Sequence, residues 1–272
     1  MPSFQNVKSS FILLVVGSFL MGCSTLSLFR ADVEQLGFNL EILNAENFDI
    51  MVCWRGHGEK LRVYIEGDGK AWLSRTRPSS DPTPDDPISF HLAAADRHSP
   101  VMYLARPCQF VEKGQRRNCI LPFWTSARFS EPVISDLNQV LNQVKKTVGA
   151  KRFELVGYSG GGAVALLLAA RRVDVDLVIT IAGNLDHVFW TQYHKVSPLR
   201  DSLNPADFAT KLQAVKQIHI VSNSDIIVPP AVAQSYVSKM DDTRRVQVIT
   251  VDGVSHTDNW DQIVLEILNS IE

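Results

Sequence analysis

The sequence predicts an α/β fold, with a mostly parallel, twisted sheet of about eight strands and helices on both faces. Three observations predict it. Short apolar runs rich in β-branched residues alternate with helical ones from residue 38 to the end. One helical run, "GGAVALLLAARR" (161–172), is apolar almost all round, as a helix buried on every side must be. Of the 272 residues, about 250 follow residue 23, a length ordinary for a single α/β sheet.

The elements follow in order. "FNLEIL" (38–43) and "FDIMVCW" (48–54) read as the first two strands, and "RVYIEG" (62–67) as the third. "RTRPSSDPTPDDP" (75–87) is rich in proline and aspartate and must be a loop; being long for one, it is a candidate site loop. "ISFHLAAADRH" (88–98) has helical spacing, and "VMYLARP" (101–107) is a strand ended by proline. "PVISDLNQVLNQVKKTV" (132–148) is an amphipathic helix with Val133, Leu137, Val140, Leu141 and Val144 near one face. "RFELVG" (152–157), "VDLVITIAG" (175–183), "QIHIVS" (217–222) and "VQVITV" (246–251) complete the strands. "PPAVAQSYVSKM" (229–240) and "NWDQIVLEILNSI" (259–271) are further helices.

Composition narrows the function. The chain is 45% hydrophobic and 21% charged, with a net charge of −2. No basic excess points to nucleic acid, and no acidic tail points to a solvating tract.

The amino terminus needs a separate reading. Met1 to Ser10 holds one cation, Lys8, and the apolar run Phe11–Leu20 follows it. That run is half the roughly twenty residues a spanning helix needs, and the pattern is that of a secretory signal. "LMGC" (20–23) resembles a bacterial lipobox. The resemblance implies that residues 1–22 are a signal peptide and that Cys23 is lipidated. Residues 23–35 are then a lipid anchor and short linker, and 36–272 a single domain. Ser24 rather than Asp resembles the outer-membrane sorting preference, so the expected location is the bacterial outer membrane, facing the periplasm. The alternatives are an ordinary signal peptide with a coincidental cysteine, or a buried apolar segment. With Cys23 lipidated, Cys53, Cys108 and Cys119 remain. Cys108 and Cys119 bracket a polar loop and are the natural disulfide pair in an oxidising compartment. Cys53 lies in an apolar strand and reads as a buried free thiol. The spacing lacks the close pairs of a zinc site, so no metal is expected.

Gly157-Tyr158-Ser159-Gly160-Gly161 is a G-x-S-x-G motif, weak by itself. Here it directly follows the strand "FELV" and directly precedes a helix, the setting of a nucleophile elbow. Such a turn lifts the serine hydroxyl above the sheet edge and aims the helix N-terminus at the reacting centre. A serine needs a base, and in this setting the chain order is serine, acid, histidine. His256 alone lies in a short loop between a late strand and the terminal helix. His219 is inside a strand, and His57, His91 and His98 precede the serine. His187 and His194 follow it too soon, but could line a pocket with Tyr158 and Trp190. Asp225, where "QIHIVSNSD" runs from strand into turn, is the expected acid; its structural alternative is a turn or capping aspartate. Asp186, one strand earlier, is the main rival, and Asp252 is too close to His256.

The second oxyanion donor should come from the turn after the third strand, Glu66-Gly67-Asp68-Gly69-Lys70. Many lipases have a His-Gly pair there; this chain has Glu66 in place of the histidine. By position the N–H of Asp68 or Gly69 would act with that of Gly160, unless the segment is only a two-glycine turn.

From about Asn39 to the C-terminus the chain resembles the α/β-hydrolase superfamily. Through "YIEGDGKAW", "ARPCQ", "WTSARFS" and "AGNLDHVFWTQYHKVSPLRDSLNPADF" it also resembles a group of bacterial lipoprotein hydrolases within it. The resemblance implies hydrolysis of a small ester, thioester or amide through an acyl-enzyme, with Ser159, Asp225 and His256 as triad and no cofactor. Residues 185–208 form a small cap-like segment, too short for a broad lipase lid. A binding lipoprotein that retains the fold without catalysis, and an acyltransferase using the same triad, are the other readings. The partner other than substrate is the membrane, through Cys23; the oligomeric state is left open.

Overall fold

The computed structural model describes residues 25–112, 114 and 116–271. The expected signal peptide and Cys23 lie outside the described residues. The strands are Asn39–Asn44 (β1), Asp49–Arg55 (β2), Lys60–Ile65 (β3), Val101–Leu104 (β4), Arg152–Tyr158 (β5), Val175–Ile181 (β6), Lys216–Ser222 (β7) and Val246–Val251 (β8). They form one sheet in the order β1-β2-β4-β3-β5-β6-β7-β8. β1 and β2 run antiparallel to their neighbours, and β3 to β8 are mutually parallel.

The helices are Thr25–Gln35 (α1), Ile88–Ala95 (α2), Glu131–Val148 (α3), Gly160–Ala169 (α4), His187–His194 (α5), Ala209–Leu212 (α6), Pro230–Val237 (α7) and Asp261–Ile271 (α8). Successive strand residues point to opposite faces, and both faces are covered. Leu155, Val178 and Val63 pack with Leu137 and Leu141 of α3, Leu166 of α4 and Tyr236 of α7. Val156, Ile179 and Tyr64 pack with Phe29 of α1, Leu92 of α2 and Leu268 of α8. Burial on both faces explains why the parallel strands read as near-continuous apolar runs. All ten residues of α4 are buried, as its apolar circumference requires. A Cβ on Gly161 would lie 2.2 Å from Ile65 O, so only glycine lets α4 approach β3 this closely.

One boundary differs from expectation. Residues 23–35 read as anchor and linker, yet their described part is helix α1. Its Phe29 and Val33 are buried, and the Phe29 ring lies tilted against Phe110 at 4.3 Å and edge-on to Phe90 at 4.7 Å. Burying such a phenylalanine stabilises by roughly 1.5–3 kcal/mol, which holds the helix to the sheet. Cys108 and Cys119 are disulfide-bonded, and Cys53 is free and buried.

Because β3 to β8 are parallel, the loops after them open on one edge. Register brings their ends level: Ile65 pairs with Gly157, Tyr158 with Ile181, Ile181 with Ile220, and Ser222 with Val251. Open α/β sheets bind ligands outside this carboxyl edge.

Candidate active site

Ser159 joins β5 to α4 with φ 52° and ψ −120°. An L-residue adopts such a conformation only when its surroundings enforce it. Here the Ser159 N–H donates to Ile181 O at 2.9 Å, and its carbonyl accepts from Gly162 and Asn184, each at 3.0 Å. The strain presents the side chain to the open edge.

Three side chains from three loops form a continuous relay. His256 Nε2 lies 2.9 Å from Ser159 Oγ, and His256 Nδ1 lies 2.7 Å from Asp225 Oδ2. The other Asp225 oxygen accepts from the N–H groups of Ile227 and Val228, each at 2.8 Å. Asp225 is therefore both buried and fully bonded, which fixes the imidazole against it. Ser222 Oγ donates to Val254 O at 2.5 Å, tying the end of β7 to the loop after β8. Tyr158 Oη donates to His256 O at 2.7 Å, and the Trp260 indole donates to the same carbonyl at 3.1 Å.

The rival acid is committed elsewhere. Asp186 caps α5, accepting from Phe189 N–H at 3.2 Å, and it also accepts from Asn204 Nδ2 at 2.9 Å and Ser235 Oγ at 2.8 Å. Burial raises its pKa, but those hydrogen bonds and Lys239 outweigh burial and lower it. It is a structural hub for the cap.

In the turn after β3, Gly67 N–H donates to Glu66 Oε1 at 2.8 Å and Lys70 N–H to Pro82 O at 3.0 Å. The N–H groups of Asp68 and Gly69 are, among the described residues, the turn's donors without a protein acceptor. Gly69 has φ +60°, and a Cβ there would meet Pro82 O at 2.2 Å, so the turn requires glycine. The Asp68 side chain has a role the sequence did not suggest. Its carboxylate bridges Arg106 at 3.2 Å and Arg128 at 2.5 Å. Burial alone would raise its pKa, but Arg128 and Arg106 reverse this and hold it below the usual range. The same carboxylate sits over the elbow: a Cβ on Gly160 would lie 2.1 Å from Asp68 Oδ1. Glu66 is buried and is bonded by Tyr103 Oη at 3.1 Å; burial pushes its pKa up to about 7.

The relay opens into a cavity of about 490 Å³ whose lining includes Glu66, Asp68, Gly69, Ser159, Trp190 and His256. Tyr158 also reaches it, but two expected pocket residues do not. His187 is buried beside Phe129, away from the cavity. His194 turns its Nε2 to Ile227 O at 2.9 Å. Gly160 is not among the residues that line the cavity. His219, read as a strand histidine, is fully buried against Thr180, and burial lowers its pKa to about 3. Among the described residues no group of three or more His, Cys, Asp or Glu is placed to hold a metal ion.

No protein-family model and no curated protein matches the sequence. Solved structures do match in shape. An esterase of Pyrococcus furiosus superposes with a TM-score of 0.59 at 12% identity, covering 88% of this chain and 92% of that one. The α/β hydrolase GrgF from Penicillium sp. sh18 gives 0.59 at 13% identity, covering 86% and 96%. The chain has the α/β-hydrolase fold. Within that fold, Ser159 stands at the turn after β5, Asp225 after β7 and His256 after β8, in the chain order the fold uses.

Proposed function

We propose that the protein is a serine hydrolase of the carboxylic-ester type that works through an acyl-enzyme. The observation that carries this reading is the unbroken relay from Ser159 Oγ through both nitrogens of His256 to Asp225. His256 Nε2 takes the hydroxyl proton as Ser159 Oγ bonds to the substrate carbonyl carbon. Asp225 holds the Nδ1–H tautomer and stabilises the imidazolium. The tetrahedral oxyanion is met by the N–H of Asp68 or Gly69 together with that of Gly160, at about 3–4 kcal/mol per donor in comparable sites. Collapse breaks the bond to the leaving group, which takes its proton from His256. Water then adds to the acyl-enzyme with His256 again as base, and releases the acid and Ser159.

The domain is carried on a lipid anchor at Cys23, in a bacterial envelope and facing the periplasm. "LMGC" after a short basic and apolar leader supports this part of the reading. Several acyl chains give stable attachment, at roughly 0.8 kcal/mol per buried methylene.

The test is the time course of p-nitrophenyl acetate and butyrate cleavage. The reading predicts a burst of nitrophenol stoichiometric with enzyme, followed by slower turnover, both absent in Ser159→Ala. A folded parent that turns over no ester of any chain length would favour a binding protein on this fold.

A further inference from the structure

Large apolar side chains gather at the mouth of the Ser159 cavity. Trp72 and Leu73 lie on the segment after β3, Val188 and Tyr193 on α5, and Ile226 and Ile227 beside Asp225. Their exposures run from 43% for Trp72 to 83% for Ile226, and they are six of the twelve exposed large hydrophobics among the described residues. Trp72 and Ile227 line the cavity, with Leu73 and Ile226 their chain neighbours, and α5 is tied to Ile227. Trp190 and His194 both bond Ile227 O, the Trp190 ring lies 5.2 Å from that of His194, and Tyr193 lies 5.1 Å from His194. Arg75 and Arg77 follow Trp72, and Lys195 follows α5; Lys70 is paired with Asp85 at the cavity wall. Exposed apolar patches of this kind mark sites of interaction.

The course of α1 indicates what meets this surface. Phe29 packs on Phe110 and Arg30 pairs with Glu112 at 3.7 Å, both beyond the carboxyl end of β4. Phe38, after α1, lies under Arg55, which pairs with the first residue of β4. The helix therefore runs away from the catalytic edge, and Thr25 is on the catalytic side. The lipid proposed on Cys23 is then attached two residues before α1, on the side where the site opens. Tryptophan, tyrosine and cations around an apolar patch are also the chemistry of a membrane interface.

We propose that this rim docks on an anionic lipid bilayer, so that the site faces the membrane and takes an aliphatic ester from it. The docking stands on the surface alone; the fate of the ester rests on the proposed role of Ser159. A second cavity of about 540 Å³ shares Trp72, Arg128, Trp190 and Ile227 with the first, and adds Val196, Pro198 and Leu199. Its apolar wall fits the chain of such an ester.

The experiment uses the full chain reconstituted in phosphatidylcholine–phosphatidylglycerol vesicles. Ile226→Cys and, separately, Val173→Cys are labelled with an environment-sensitive dye and exposed to lipid-borne quenchers. Val173 is 95% exposed at the opposite edge, next to the start of β5. The proposal predicts strong quenching at position 226 and none at 173. Equal quenching at both positions, or none at 226, overturns it; protection of 226 in a lipid-free dimer assigns the face to a second copy instead. A Leu73→Glu, Tyr193→Glu variant is predicted to lose roughly ten-fold or more of its activity on a vesicle-embedded ester. Its cleavage of a water-soluble ester should stay unchanged. Quenching at 226 without turnover of either ester would retain the docking and remove the Ser159 reading. Turnover of the soluble ester without quenching would do the reverse.

Discussion

Tyr158 Oη donates to the main-chain carbonyl of His256, so the residue beside the nucleophile pins the loop that carries the base. The two rings also lie 5.3 Å apart. Tyr158→Phe keeps the ring and removes the bond, leaving the carbonyl to Trp260. We expect a loss of about 1 kcal/mol in urea unfolding, with a larger fall in kcat than rise in KM. An unchanged kcat would show that the loop is held without this bond.

The two candidate acids separate by their partners. Asp225→Asn should lower turnover by roughly 10⁴-fold, because the amide favours the wrong imidazole tautomer. Asp186→Asn should act on stability instead, costing about 1–2 kcal/mol as a cap and hydrogen-bond centre. Ester kinetics and denaturation of both variants check this, and a reversed pattern would make Asp186 the functional acid.

Gly160 has no room for a methyl group. The Asp68 carboxylate that a Cβ would strike is held by two arginines and cannot swing away. Gly160→Ala should cost about 1–3 kcal/mol through overpacking. By displacing the N–H from the oxyanion, it should also reduce kcat about a hundred-fold. Wild-type kinetics in this variant would remove Asp68 and Gly160 from the oxyanion site.

Much of this was legible in the sequence. Eight strands, the elbow at Ser159 and the late loop of His256 announced themselves because strand–turn–helix junctions leave local signatures. Helix α1 leaves no clear stripe in the sequence, because its buried contacts, Phe29 and Val33, are too few. Arg106 and Arg128 leave no signature in the sequence either. They lie in loops far apart in the chain and meet only through Asp68, a pairing without any local pattern. His187 and His194 misled because proximity in the chain said nothing of which way a cap helix turns its side chains.

Glu66 sets a pH dependence. A carboxyl raised from 4.5 to about 7 binds its proton more tightly in the folded state. Stability therefore falls as pH rises through that window. Relative to Glu66→Gln, the parent should lose about 3 kcal/mol between the two ends of the window. Urea unfolding at a series of pH values checks this, and parallel profiles would contradict it.

Lipidation makes a separate prediction. Cells fed labelled palmitate should transfer label to the parent and not to Cys23→Ser, which should also leave the membrane fraction. A parent without label would leave "LMGC" as a coincidence in an ordinary leader.

The central claim is an activated serine at position 159. Incubating the full chain with a fluorophosphonate probe and mapping the adduct by mass spectrometry tests it most directly. The account predicts one adduct on the peptide that contains Ser159, absent in Ser159→Ala and in His256→Ala. A folded parent that takes no label, or takes it on another residue, would contradict it.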